Sequence, residues 1–578
     1  MKLPLRSARA VSRRLSASFW DLVAVLLVLG TLVLLAQGSR ELLQPLPGPG
    51  FAAIDLDPSV LPEYALRTSL RMLAAMALSL LFTFTYATWA AKSRRAEQVL
   101  IPLLDIFQSV PILGFISVSV VFFMSLAPGR MLGAEMAAVF AIFTSQAWNM
   151  AFSFYQSLRT VPEELAEASR SFRLGPWMRF WKLEAPFAMP ALVWNMMMSM
   201  SGGWFFVVAS EAISVGDTTV TLPGIGSYIA LAIAGRDLGA IFWAIATMLV
   251  VILIYDQLLF RPLVAWADRF RFEQEAGATP PGSWVLTALS RSRLVALAVA
   301  PLARAWRRTY RPSAGPDRAA PARWEIRTGM AAWLDRLWYG AIAAACLAAS
   351  WKIAAFVLEG VTLAEVGTAV LLGLATMVRV FVLIALASII WVPIGVWLGL
   401  RPGAARIAQP IAQFMAAFPA NLLFPLAVSA IVALRLDPDV WLSPLMILGT
   451  QWYILFNVIA GASTIPGELR DIGAHLRVRG WLWWRRIALP AVFPFYMTGA
   501  ITASGGSWNA SIVAEIASWG DTTLKAHGLG AYIAEATKAG DFHRIVLGIA
   551  VMSAFVVTIN RAFWRPLYML AERKFRLG

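Results

Sequence analysis

Arg71 and Arg379 stand inside long apolar stretches, "SLRMLAAM" and "TMVRVFVL". An ionised side chain is costly there and carries either a function or a specific partner. Two guanidinium groups at equivalent positions would draw an anion to the mouth of a pore. The competing reading is snorkelling to lipid headgroups or a structural ion pair. Glu211 and Glu515 end two further apolar stretches, where they suit an outer gate or contact with a partner protein. Those same stretches hold Asn195, Trp204 and Ser210, then Trp508, Asn509 and Ser511. Such residues line a solute pathway or hold helices together. Covalent chemistry is not encoded: the sequence contains no G-x-x-x-x-G-K-[ST], no H-E-x-x-H and no G-x-S-x-G. His475, His527 and His543 are too scattered for a metal site, and the lone Cys346 leaves no disulfide framework.

The elements that must position these residues are membrane spans. The chain has 578 residues, 59% apolar and 14% charged, with mean hydropathy +0.67. A soluble protein carries about 25% charged residues, so this one is built for lipid. About twelve spans are predicted, near residues 19–37, 67–91, 101–126, 133–157, 187–211, 238–260, 338–356, 366–400, 408–434, 441–462, 491–514 and 545–563. The first stretch reads as a span and not as a cleaved leader. The net charge of +16 invites a nucleic-acid partner, yet most of the 49 Lys and Arg fall in alternate connecting segments. This is the positive-inside pattern of a multi-pass protein with both termini in the cytoplasm, so lipid is expected as a partner and nucleic acid is not.

The chain is a duplication. Trp204 and Trp508, Glu211 and Glu515, and Arg261 and Arg565 are each 304 residues apart; upstream, Arg71 and Arg379 are 308 apart. Equivalent segments run in the same direction, which makes two parallel six-span repeats. The predicted division is a first repeat at 1–270, a cytoplasmic linker at 271–330 and a second repeat at 331–578. Within the linker, 284–306 mixes apolar residues with Arg291, Arg293 and Arg304 and is interrupted by Pro301. It reads as an interfacial helix, with a thirteenth span as the competing reading.

Each repeat carries one stretch dense in Arg and Trp: "PEELAEASRSFRLGPWMRFWKLEAPFAMP" from Pro162 and "PGELRDIGAHLRVRGWLWWRRIALPAVFP" from Pro466. An aromatic belt of Trp177, Trp181, Trp481, Trp483 and Trp484 at the membrane surface is the bland account. Lipid anchoring, however, does not require prolines matched at one spacing. The pattern Leu165, Ala168, Phe172 against Glu164, Glu167, Arg170 and Arg173 suits a short amphipathic helix lying on the membrane. Pro162 and Pro466 would open that helix, and Pro186 and Pro490 would stand near the start of the next span.

These stretches resemble the cytoplasmic signature of ABC importer permeases that work with a binding protein: E-A-A, three residues, Gly, nine residues, I-x-L-P. The matching residues are Glu167-Ala168-Ser169 with Leu183-x-Ala185-Pro186, and Asp471-Ile472-Gly473 with Ile487-x-Leu489-Pro490. Arg173 and Arg477 replace the Gly, and Gly175 and Gly480 follow two and three residues later. The resemblance implies an all-α, type I importer fold in the bacterial inner membrane. It also implies coupling helices, around Glu164 and Glu468, that dock on two ATP-binding subunits. ATP and Mg²⁺ would then sit in those partners, with no cofactor in this chain, and a substrate-binding protein would meet the outer face.

Three further features resemble the nitrate, sulfonate, taurine and bicarbonate branch. They are the Arg early in spans two and eight, the runs "PLLDIFQSVP" and "PIAQFMAAFP", and the glycine motifs "GIGSYI" and "GLGAYI". The glycine motifs are not dinucleotide fingerprints, because no strand is predicted before them. The expected function is a fused permease for a small solute, an anion by this resemblance. The alternative is a twelve-span secondary transporter, which would need acidic residues deep in the membrane.

Overall fold

The computed structural model describes residues 20–23, 30, 54–109, 112–128, 130–215, 218–270, 282–309 and 329–575. The first predicted span, 19–37, therefore falls largely outside the described residues. The described part is overwhelmingly helical, and seven helices are long and apolar enough to cross a membrane. They cover Pro58–Lys92, Pro176–Glu211, Leu238–Phe270, Arg336–Gly360, Leu363–Gly399, Trp481–Ala514 and Phe542–Ala571. Three bent helix pairs raise the number to ten if each is one span.

The first repeat contains α1 (Leu61–Phe82), α2 (Arg94–Ser109), α3 (Ile112–Leu126), α4 (Met131–Arg159), α5 (Glu163–Ser171) and α6 (Ala185–Glu211). It continues through a hairpin of β1 (Ala212–Val215) and β2 (Thr218–Thr221) into α7 (Ile225–Ala234) and α8 (Leu238–Tyr255). The linker supplies α9 (Trp284–Arg291) and α10 (Arg293–Arg308). The second repeat runs α11 (Gly329–Gly360), α12 (Leu363–Gly399), α13 (Pro402–Ala417), α14 (Phe424–Ala433), α15 (Gln451–Ser463), α16 (Gly467–His475) and α17 (Leu489–Ala514). It closes with β3 (Ile516–Trp519), β4 (Thr522–Lys525), α18 (Leu529–Ala539), α19 (Phe542–Ile559) and α20 (Arg565–Phe575).

The described residues have the expected all-α architecture, and three details go beyond the sequence reading. First, each repeat also carries a short two-stranded antiparallel hairpin, with Val215 opposite Thr218 and Trp519 opposite Thr522. Gly520, at φ +58°, supplies the left-handed turn residue that a two-residue hairpin loop requires. A strand thus does precede each glycine motif. Second, 408–434 is not one straight helix: it is bent by 77°, because Pro419 lacks an N–H and holds Phe418 extended at ψ 129°. The stretch 441–462 is likewise bent, by 46°. Third, the linker helix breaks at Ser292 and not at Pro301, with a bend of 73°. Asp21 accepts hydrogen bonds from the backbone N–H of Arg293 (2.7 Å) and Leu294 (3.1 Å), which caps the new helix.

Pro186 and Pro490 do stand at the start of α6 and α17, each just after a π-helical turn, Phe180–Glu184 and Trp484–Ala488. The widened turn accommodates a proline ring that would clash with the carbonyl four residues back.

The chain divides into two compact units. One comprises Met1–Glu41, Val161–Val193 and Ile254–Ala320; the other comprises Leu42–Thr160, Trp194–Leu253 and Pro321–Gly578. In the first, Trp306 of α10 meets the rings of Trp177 (6.0 Å) and Trp181 (5.0 Å), and Trp177 donates to the Thr309 hydroxyl. In the second, equivalent segments of the two repeats touch reciprocally. Asn509 accepts from the N–H of Ile112 (2.7 Å), while Asn421 donates to the carbonyl of Phe205 (3.1 Å), as a pseudo-two-fold relation requires.

Candidate functional site

The buried charges form two clamps. In the first, Arg71 on α1 binds Glu135 on α4 through two 2.6 Å hydrogen bonds, and its Nη1 reaches Glu211 at the end of α6 (2.7 Å) and the Pro223 carbonyl (3.0 Å). Thr68, one turn earlier on α1, donates to the same Glu211 oxygen (2.7 Å) and accepts from the N–H of Ile225. The other Glu211 oxygen accepts from the N–H of Gly226 in the first turn of α7, where the helix terminus favours an anion. Arg71 is 4% exposed and Glu211 wholly buried.

The second clamp repeats the plan. Arg379 binds Asp439 (2.7 Å), Glu515 (3.2 Å) and the His527 carbonyl (2.9 Å), while Thr376 donates to Glu515 (2.7 Å). It differs in that Asp439 also accepts from the His527 backbone (2.6 Å) and faces its ring Nδ1 (2.8 Å). Pro223, the residue equivalent to His527, has no N–H to give.

This geometry explains the glycine motifs. A Cβ on Gly226 would lie 2.2 Å from the Val208 carbonyl oxygen, and one on Gly530 2.4 Å from that of Ser511. The motif is a close approach of backbone to the helix bearing the buried carboxylate. Although a strand precedes it, the Glu211 carboxylate already occupies the helix N-terminus that a cofactor phosphate would need.

Four residues from four parts of the chain thus meet where sequence reading had set two separate roles, an anion-attracting Arg and a gate Glu. Each guanidinium faces two carboxylates, so neither is a free cation. Sequence reading missed Thr68, Glu135, Thr376, Asp439 and His527. The first four were detectable, because Thr68/Thr376 and Glu135/Asp439 keep the repeat offsets of 308 and 304.

A cavity of about 470 Å³ lies in the larger unit, walled by both repeats. It adjoins Gln108 and Ile112 of the predicted third span and, where the ninth span bends, Ala416 and Ala420. Of the predicted pathway residues, Trp508 and Asn509 line it, and Ser201 and Asn149 join them. Arg71, Arg379, Asn195, Trp204, Ser210 and Ser511 are not among its lining residues. Asn195 donates to Ser153 (2.8 Å), the Ser210 and Ser511 hydroxyls bond back to their own helices, and Trp204 is buried.

The two Arg- and Trp-rich turns are alike, each taken by itself. Helix α5 ends with Leu174 N–H on the Ser169 carbonyl and Arg173 N–H on that of Arg170. Helix α16 ends with Val478 N–H on the Gly473 carbonyl. Both are Schellman-type ends. Arg173 and Arg477 each hold φ at +51°, so they keep the left-handed turn that glycine normally serves. Pro162 is the N-cap of α5 and Pro466 precedes α16, one step earlier than predicted. The buried face of α5 is Ala166 and Ser169, not Leu165, Ala168 and Phe172; Phe172 is 78% exposed. Glu164, Glu167, Ala168 and Arg173 are exposed, as are Glu468, Asp471, Ile472, Arg477 and Gly480, while Gly175 and Gly473 are buried.

Compared with known proteins, residues 66–261 and 391–565 each match the family described as binding-protein-dependent transport system inner membrane component. The bicarbonate transport system permease protein CmpB of Synechococcus elongatus is 27% identical over 190 residues, 32% of this chain and 64% of that protein. The glycine betaine/carnitine transport permease protein GbuB of Listeria monocytogenes is 27% identical over 188 residues, 32% of this chain and 61% of that protein. The nitrate import permease protein NrtB of Synechocystis sp. is 24% identical over 202 residues, 35% of this chain and 70% of that protein. The chain spans 64% of the length of the first of these relatives, and each alignment takes up about a third of this chain.

Proposed function

This chain belongs to the family of binding-protein-dependent transport system inner membrane components, and from that premise we propose that it is the permease of an ABC importer with both pore halves in one polypeptide. It moves a small solute, an anion of the nitrate, sulfonate or bicarbonate class, from a substrate-binding protein at the outer face into the cytoplasm. Both termini lie on the cytoplasmic side. Two ATP-binding subunits hold ATP and Mg²⁺ and hydrolyse the nucleotide; this chain is not itself an enzyme.

The observation that carries the proposal is the cavity walled by equivalent segments of both repeats, in a chain that bears the coupling turn twice. The exposed tips at Phe172–Arg173 and Leu476–Arg477 receive the motion of the ATP-binding subunits. The bend beside Ala416 gives the cavity a wall that shifts when that motion is passed on. We assign the two clamps to the outer gate, where they lock α1, α4, α6 and α7, and their equivalents, into rigid groups. Arg71 and Arg379 act as fasteners and not as an anion funnel.

The test is uptake into proteoliposomes holding the chain with its ATP-binding and substrate-binding proteins. Uptake should require ATP inside the cytoplasmic compartment and continue when ion gradients are collapsed. Uptake that follows an ion gradient and ignores ATP would establish a secondary transporter instead.

A further inference from the structure

The linker carries charge of one sign. From Ala276 to Pro316 the sequence holds six Arg and no Asp, Glu, Lys or His. Helix α9 has 8 residues and α10 has 16, which makes them about 12 Å and 24 Å long. Each is shorter than the roughly 30 Å of a bilayer core, and the 73° bend between them keeps the lengths from adding.

Both ends of α10 are anchored. At its start, Asp21 Oδ1 accepts from the Ser292 hydroxyl (2.8 Å) and from the N–H groups of Arg293 and Leu294, while the Arg291 guanidinium lies 5.7 Å over the Trp20 ring. Trp20 and Asp21 open the first predicted span, so α10 begins where that span enters the membrane. At its end, Trp306 meets the rings of Trp177 and Trp181, and Trp177 donates to Thr309. The helix thus bridges from a membrane entry point to the first Arg- and Trp-rich segment. The linker lies between the repeats, so it serves one such segment and not both.

Between its anchors α10 leaves one face uncovered. Leu294, Leu297 and Leu302 recur at helical spacing and are exposed, Leu302 at 71%. Arg293 and Arg304, three turns apart, are exposed along one flank of that stripe. Ala303, on the opposite side, is partly covered. A stripe of leucines flanked by guanidinium groups matches a bilayer surface rich in anionic headgroups, where the leucines enter the acyl boundary and the arginines stay at the phosphates. Water alone would strand the leucines, and a zwitterionic surface would leave the arginines without a counter-charge.

We propose that α10 is a docking surface for anionic lipid, and that through Trp306 it ties the first coupling segment to the charge of the cytoplasmic leaflet. The assignment rests on the importer reading, which makes that segment a coupling element, and adds a lipid regulator to it.

The test is amide hydrogen exchange of the full chain, read by mass spectrometry, in nanodiscs of phosphatidylcholine and in nanodiscs with a third of that lipid replaced by phosphatidylglycerol. Exchange over 293–308 should slow by roughly tenfold in the anionic discs, and high salt should remove the difference. Exchange over 163–174 should slow with it. Arg293→Gln combined with Arg304→Gln should erase the dependence on lipid charge and leave exchange in phosphatidylcholine unchanged. Trp306→Ala should keep the response of 293–308 and lose that of 163–174, which a lipid effect spread over the whole chain would not do. Equal exchange in the two kinds of disc, an undiminished response in the double Arg variant, or protection that appears only when ATP-binding subunits are added would overturn the lipid surface. A response of 163–174 that survives Trp306→Ala would overturn the tie to the coupling segment. ATP-driven uptake by the reconstituted complex alongside equal exchange would leave the importer standing, and gradient-driven uptake with the lipid response intact would do the reverse.

Discussion

At the scale of single residues, Arg173 and Arg477 are the least expected feature. A left-handed backbone costs an L-residue roughly 1–2 kcal/mol, yet both turns carry arginine there at φ +51°. The turns hold because their carbonyls are satisfied by the residues that follow. Arg173→Gly should therefore keep the turn and raise stability by up to about 1 kcal/mol, whereas Arg173→Val should lower it, since a β-branched residue resists positive φ. Thermal unfolding of the purified chain checks both signs; a glycine variant that unfolds earlier would show that the arginine side chain itself holds the turn. The sequence showed that glycine was missing but not that its conformation was kept, because a backbone torsion leaves no trace in residue type when a charged residue substitutes. Position 204 illustrates the opposite limit. Trp204 is legible as a large intramembrane aromatic, but nothing in its type separates wall from core, and only packing puts Trp508 on the cavity and Trp204 away from it.

At the scale of elements, the clamps tie together helices that are distant in the chain. Arg71 neutralises two carboxylates, one of them wholly buried. Removing one partner of a buried ion pair typically costs about 3–5 kcal/mol. Arg71→Met should lose stability of that order, and adding Glu211→Gln should recover part of it by removing the stranded charge. Arg379→Met should cost less, because Arg379 and Asp439 are more exposed and Asp439 keeps His527. Thermal unfolding of the four proteins tests this ranking; Arg71→Met with wild-type stability would remove the clamp from the account. The long helices were readable because apolar runs and repeat offsets survive in composition. The breaks were not, since the apolar run continues through Pro419 and hydropathy is blind to direction. The hairpins were missed because strands of four residues carry too little alternation, although Gly520-Asp521 between Trp519 and Thr522, an aromatic and a β-branched residue, is a turn signal.

At the scale of the whole molecule, the duplication is what the sequence displayed most clearly, and the family match recovers it as two separate segments. What the offsets could not display is how the copies complete one another. The reciprocal contacts of Asn509 with Ile112 and Asn421 with Phe205 join residues hundreds of positions apart. On the proposed reading, a pore made by two repeats in one chain needs no second copy of that chain, and two coupling turns would take two ATP-binding subunits. The most direct measurement is native mass spectrometry of the chain co-expressed with its ATP-binding subunits and released from mild detergent. The fused permease predicts a complex of one copy of this chain with two ATP-binding subunits. Two copies of this chain per complex, or a chain that binds no such subunit, would contradict it.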